Sequence, residues 1–258
     1  MREVDYDERQ HLVYARARAL PEATMAEWMR VFTRHAPPQR PLTVLDLGSG
    51  TGRFTPDLAE TFGGPVSGVE PSAQMRAVAE EYATHPAVTY LAGAAEDIPL
   101  PAASCDLVVL FLVLHHVRDQ AAAAAQIARV LRPGGRVLIR SSFPDRMPEL
   151  PMYGYFPGAR RIDELVFPRL DHTIELFEAA GLSFVAVEEV QQRIADSLAE
   201  YAERLKFRGF STFERLTEEE IETGFTALEA AVAAETRPSP VDEDSDLLIL
   251  ERRPDQAV

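Results

Sequence analysis

Several residue types are scarce in this chain, and each shortage narrows what it can be. Cys105 is the single cysteine, which excludes an internal disulfide and a zinc site built on cysteine pairs. The longest unbroken apolar run, Leu107 to Leu114, falls far short of the ~20 residues that a membrane-spanning helix needs. The start, Met1-Arg2-Glu3-Val4-Asp5, is acidic and lacks the apolar stretch of a secretory leader, so a cytoplasmic location is expected. Positive charge is short as well: 26 Lys and Arg face 41 Asp and Glu, for a net charge of -15. Nucleic acid and anionic membranes repel such a surface, and neither is expected as a partner. Lysine is reduced to Lys206 and asparagine is absent, a usage bias that carries no mechanism.

What is present suffices for one large domain with a core and room for a cap: 258 residues, 46% of them hydrophobic. Residues 1 to 36 read as helical, ending at Pro37-Pro38. Strands and helices then alternate. Strands are expected at 42–47, 66–70, 88–91, 106–111 and 136–141, with helices at 56–62 and 73–82 and a third from the cap Asp119 to Leu131. This rhythm predicts an α/β fold, a mostly parallel sheet with helices on both faces. Residues 143–170, rich in proline and aromatics, read as a lid loop or short cap. A helix at 173–180 and a strand at 183–190 follow. Residues 191–245 read as a helical insertion whose second helix opens on Thr217-Glu218-Glu219-Glu220, a capping-box spacing. A last strand at 246–250 completes the sheet.

The chemistry concentrates at Val44-Leu45-Asp46-Leu47-Gly48-Ser49-Gly50-Thr51-Gly52. An apolar strand ends in an acid and runs into a glycine turn, whose backbone can approach a ligand closely. The spacing is G-x-G-x-G, followed by Arg53, and so departs from the G-x-G-x-x-G of dinucleotide dehydrogenases. Glu70 closes the second strand, about 20 residues beyond the turn, where an acid accepts from both ribose hydroxyls.

These segments resemble the class I S-adenosylmethionine-dependent methyltransferases, in particular the small-molecule group related to the ubiquinone and menaquinone methylases. The resemblance continues through Gly68-Val69-Glu70-Pro71-Ser72-Ala73-Gln74-Met75, Gly93-Ala94-Ala95-Glu96-Asp97-Ile98-Pro99-Leu100, Cys105-Asp106-Leu107-Val108-Val109, Leu114-His115-His116-Val117 and Leu131-Arg132-Pro133-Gly134-Gly135. It covers residues 40 to 142 and implies a Rossmann-like, seven-stranded sheet. It divides the chain into an N-terminal segment (1–41) closing over the cofactor, a cofactor-binding core (42–142), and a remainder (143–258) carrying lid and cap.

The resemblance also implies roles. Asp46 and the backbone of Gly48, Ser49, Gly50 and Gly52 would hold the methionine part of S-adenosylmethionine, and Glu70 its ribose. Pro71 and Met75 would flank the adenine. Ala95 and Glu96 would lie at its edge, and the Leu110 carbonyl would face the cofactor's amino group. Ala94 stands where the family often has Asp or Thr, which leaves the adenine amine to Glu96 or to backbone. Tyr14 and Arg18, one helical turn apart, match a helix closing over the cofactor carboxylate; a solvated surface arginine is the other reading.

Methyl transfer from a sulfonium is an in-line displacement, so much of the catalysis comes from holding the nucleophile about 3 to 3.5 Å from the methyl carbon. His115 and His116 follow the fourth strand and are candidates for general base, or for a structural pair. Phe111, Tyr153, Tyr155 and Phe156 are candidates to meet an aromatic or apolar acceptor, or to pack the cap. The helices of 191–245 would enclose a small molecule and exclude polymers. No His-x3-His or carboxylate cluster suggests a metal, and no G-x-S-x-G elbow suggests a hydrolase. The expected function is methylation of a small metabolite by a monomer or homodimer. Alternatives are a nicotinamide-dependent oxidoreductase and a non-catalytic S-adenosylmethionine-binding protein.

Overall fold

A computed structural model describes residues 11–253; residues 1–10 of the N-terminal segment lie outside the described residues. Helices α1 (His11–Ala17) and α2 (Glu22–His35) come first. Strands β1 (Val44–Leu47), β2 (Val66–Glu70), β3 (Val88–Ala92), β4 (Cys105–Phe111) and β5 (Leu131–Ser141) then alternate with α3 (Thr55–Phe62), α4 (Ala73–Tyr82) and α5 (Gln120–Val130). Next come α6 (Pro157–Val166), α7 (Leu170–Ala179), β6 (Leu182–Ala195), α8 (Leu198–Leu205), α9 (Glu218–Ala234) and β7 (Val241–Arg252).

The seven strands form one sheet in the order β3-β2-β1-β4-β5-β7-β6. The first five pair in parallel; β7 runs antiparallel between β5 and β6. The expected Rossmann-like, seven-stranded, mostly parallel sheet is thus the fold of this chain.

Period-two alternation decides the faces. Leu45, Leu47, Val108, Leu110, Val137 and Ile139 share a buried cluster with α5 and with Phe177 of α7. Val44, Leu107, Val109, Phe111 and Leu138 share another with Trp28 and Phe32 of α2 and Leu58 and Phe62 of α3. Each such side chain, fully buried, contributes about 1.5–3 kcal/mol. Side-chain caps fix the helix starts: Ser72 accepts from Met75 N, Asp119 from Ala122 N, and Thr217 forms its expected capping box with Glu220.

Three expectations about elements are corrected. The N-terminal helical stretch is two helices broken around Pro21. Residues 143–170 are largely ordered into two 3-10 turns and α6, with Pro157 in its first turn, where the missing N–H costs nothing. The insertion is shorter than 191–245, because both flanks belong to a long hairpin in which Gln191 pairs with Asp244 and Gln192 with Glu243. The helical cap between them has its own core, in which Met152, Phe156 and Phe213 meet Tyr201, Leu205, Ile221 and Leu228.

Candidate functional site

The β1–α3 turn is pinned to β2 by Gly48 N and Ser49 N, which donate to Val69 O at 2.7 and 3.2 Å. Gly48, Gly50 and Gly52 all have positive φ (72°, 56° and 78°), the left-handed region where glycine alone is unstrained. Their surroundings differ. A Cβ at Gly48 would meet Val113 at 2.5 Å and one at Gly52 would meet Ala83 at 2.6 Å. At Gly50 the nearest neighbours are Met75 at 3.6 Å and Tyr14 at 3.9 Å. At Gly50 alone of the three a Cβ would make only ordinary van der Waals contact, with two of the expected cofactor residues.

Glu70 is buried at the end of β2. Its Oε2 accepts from Gly50 N and its Oε1 from Ser72 N, both at 3.0 Å. Asp46 is 3% exposed and accepts from Thr55 Oγ1 at 2.7 Å. Burial first, and the neighbouring Glu70 next, push its carboxyl up to about 6. A buried acid held this way favours a cation beside it. Ser49 Oγ is buried with no hydrogen-bond partner among the described residues.

These observations fit the methionine and ribose parts of S-adenosylmethionine: a glycine turn whose middle glycine is unobstructed by backbone, a buried acid, a buried hydroxyl without a partner among the described residues, and a carboxylate at the end of β2. Asp46→Asn is expected to keep the Thr55 bond and remove the buried charge. The folded-state pKa is raised, so the acid's favourable contribution is present below about 3.8 and lost as pH rises through about 6. At pH 7 the amide should stabilise the protein by up to about 3 kcal/mol and weaken cofactor binding about tenfold. Denaturation and calorimetry at pH 7 check both; a destabilised variant would contradict it.

The adenine-side residues are arranged less simply. Met75 is buried beside Gly50, Pro71 is exposed, and Ala95 sits in the core. Glu96 is engaged elsewhere, accepting from Arg118 N at 3.0 Å and Asp119 N at 3.3 Å. Leu110 lies in mid-sheet opposite Ile139, its side chain in the core. Leu112, just beyond β4, has φ 60°, a strained conformation of the kind that concentrates at functional sites.

His115 stacks between His116 (3.9 Å between ring centroids) and Phe167 (4.2 Å). Its Nδ1 is buried with no hydrogen-bond partner among the described residues. Burial, then His116 and Arg18, hold its pKa well below the usual imidazole value. His116 is exposed; partial desolvation, then Arg215 and Arg18, lower its pKa. Both shifts favour the neutral imidazoles. A depressed folded-state pKa stabilises above about 6.5 and loses that contribution as pH falls toward the folded value. Stability should therefore drop between pH 7.5 and 5.5, and His115→Phe should flatten the drop. An identical drop in the variant, measured by urea denaturation, would contradict this.

Beside the cradle lies a small, partly open cleft with about 30 Å³ of free space. Its walls come from five places: Arg18 and Leu20 around the α1–α2 junction, Arg53 after the glycine turn, Phe111 and Arg140 from β4 and β5, Gln192, Ile194 and Glu243 from the hairpin, and Tyr201, Arg204 and Phe210 from the cap. α1 touches both α4 and α8, which brings Tyr14 to Gly50 and Arg18 to the cleft. Arg18 lies over the Phe210 ring at 4.0 Å, and its carbonyl accepts from Arg53. At the floor Trp28 Nε1 donates to Gln192 Oε1 (2.6 Å), Gln192 donates to Glu243, and Arg140 donates to Glu243 (3.1 Å) and to Ser245 (2.7 Å).

Of the four expected acceptor residues, Phe111 lines this cleft. Tyr153 and Phe156 are buried in the cap: Tyr153 donates to Asp163 at 2.9 Å, and Phe156 meets Phe213 and Phe225 edge-on. Tyr155 packs against the same core. Sequence reasoning did not find Arg53, Arg140, Gln192, Arg204 or Glu243, which lie far apart in the chain and follow no local spacing. Among the described residues no helix is long and apolar enough to cross a membrane, and no group of three or more His, Cys, Asp or Glu is placed to hold a metal.

Comparisons with known proteins agree with this geometry. The family described as "Methyltransferase domain" matches residues 45–139. An uncharacterized methyltransferase of Mycobacterium tuberculosis is 46% identical over 94 residues, a match spanning 36% of this chain and only 37% of that protein. The demethylmenaquinone methyltransferase of Lactococcus lactis is 34% identical over 175 residues, 57% of this chain and 67% of the lactococcal protein. A crystal structure of a putative methyltransferase from an antibiotic biosynthesis pathway of Anabaena variabilis superposes with a TM-score of 0.71 at 22% identity, over 90% of this chain and 99% of that one; at that identity it speaks to the fold. With the glycine turn, the two acids and the strand order in place, the chain belongs to the class I S-adenosylmethionine-dependent methyltransferases.

Proposed function

We propose that this protein transfers a methyl group from S-adenosylmethionine to a small metabolite with an aromatic or apolar body, held in the cleft beside the glycine turn. The observation that carries the reading is adjacency. Arg53 directly follows the turn and lines the cleft, and Phe111 ends the strand beside it. A donor on the cradle and an acceptor in the cleft would therefore meet at the ends of β1 and β4.

The cofactor supplies an activated methyl group. The chain's residues supply position. Glu70 would accept from the ribose hydroxyls, Asp46 and the turn would hold the amino-acid part, and Pro71, Met75, Ala95, Glu96 and the Leu110 carbonyl would border the adenine. Tyr14, on the helix beside Gly50, and Arg18, just past its end, would cover the carboxylate end. The cap closes the other side and keeps water from the reacting atoms. A neutral His115 or His116 would take the proton if the acceptor must lose one.

The test is turnover. Protein incubated with isotopically labelled S-adenosylmethionine and extracts of small metabolites should release S-adenosylhomocysteine and label one low-mass product. Saturable cofactor binding with no release from any acceptor would favour a non-catalytic binding protein. Saturable NADH binding in its place would favour an oxidoreductase.

A further inference from the structure

Resting on the methyltransferase reading, we infer that the acceptor is a small organic acid whose carboxylate is held by the arginines of the cleft. In a chain of net charge -15, the cleft wall gathers Arg18, Arg53, Arg140 and Arg204 around one carboxylate, Glu243. Glu243 is already committed to Arg140 and Gln192. Among the described residues, Arg18, Arg53 and Arg204 make no ion pair. Arg53 donates to the Arg18 carbonyl and Arg204 to the Ala19 carbonyl. The Nε atoms of Arg18 and Arg204 are buried with no hydrogen-bond partner among the described residues.

Grouping these cations has a cost that Glu243, Asp46 and Tyr14 offset only in part. Burial first, with Arg18 adding to it, lowers Arg53 to about 10; burial, Arg18 and Arg53 together lower Arg140 to about 9. A bound anion relieves both the repulsion and the orphaned donors. The cofactor's own carboxylate carries one charge, too little for three unpaired guanidiniums, and Arg204 stands on the cap side of the cleft, away from the cradle. A guanidinium edge matches a carboxylate through two parallel N–H···O bonds. The rest of the lining, Phe111, Ile194, Leu205 and Phe210, suits a hydrophobic body. The site thus sorts ligands by pairing one negative group with an apolar remainder.

The experiment uses the full chain saturated with S-adenosylhomocysteine. It is titrated calorimetrically with benzoate, salicylate, phenylacetate and branched aliphatic acids, each beside its primary amide. At least one acid should bind saturably, with its amide about tenfold weaker or worse. Arg204→Gln should weaken that acid about tenfold while S-adenosylhomocysteine affinity stays within twofold; Arg204→Lys should fall between, since it keeps charge and loses the planar fork. Amides binding as well as their acids, no acid binding at all, or equal acid affinity in a folded Arg204→Gln variant would each overturn the inference. Failure of S-adenosylhomocysteine to bind the unmodified protein is a separate result and would strike the methyltransferase reading itself.

Discussion

Glu70→Ala is expected to weaken S-adenosylhomocysteine binding about a hundredfold. Hydrogen bonds to a charged acceptor are worth about 1.5–3 kcal/mol each, and two ribose hydroxyls lost together amount to about 3 kcal/mol, or two decades in affinity. The same carboxylate ties Gly50 N to Ser72 N across the crevice. Its loss therefore also loosens the cradle, and a modest drop in melting temperature should accompany the affinity loss. Glu70→Gln keeps an oxygen for one backbone donor and should lose about tenfold. Calorimetry on the three proteins decides the matter. An alanine variant within threefold of the unmodified protein would remove Glu70 from the site.

The second large effect separates the glycines of the turn. Gly50→Ala should fold, because its Cβ meets nothing closer than Met75 at 3.6 Å. The cost is the left-handed backbone, roughly 1–2 kcal/mol for a non-glycine residue. Cofactor affinity should fall at least tenfold, since the methyl group occupies the cradle. Gly52→Ala should do the opposite. Its Cβ would collide with the Tyr90 hydroxyl and lie 2.6 Å from Ala83, and overpacking adds about 1–3 kcal/mol to the backbone strain. The chain should be destabilised by roughly 2–5 kcal/mol. Melting temperature and binding measured on both variants check the split. A Gly50→Ala protein that binds normally, or a Gly52→Ala protein of unchanged stability, would contradict the geometry.

The sheet was legible because its strands follow buried apolar periodicity and their connections carry caps and glycine stops. Asp119, Ser72 and Thr217 announce helix starts whatever surrounds them. The ends of the long hairpin were not legible. Gln191, Gln192 and Arg193 pair with Asp244, Glu243 and Asp242, a polar ladder without apolar alternation, whose partner strand lies some fifty residues away in the chain. The proline-rich 143–170 reads as a loop or short cap, and Pro157 within it opens α6. The cradle was visible from its local glycine spacing. The cleft was not, because its arginines are brought together by the fold: Arg18 follows α1, Arg53 follows the glycine turn, Arg140 sits on β5 and Arg204 on the cap helix α8. Tyr153 and Phe156 show the converse. Their aromatic character suggested an acceptor surface, and the structure places both inside the cap core, where area burial outweighs any surface role.

The most direct measurement is a calorimetric titration of the unmodified protein with S-adenosylhomocysteine, run beside one with NADH. Saturable uptake of one S-adenosylhomocysteine per chain, with no heat from NADH, is the predicted result. Saturable NADH binding with no response to S-adenosylhomocysteine would contradict the account at its base.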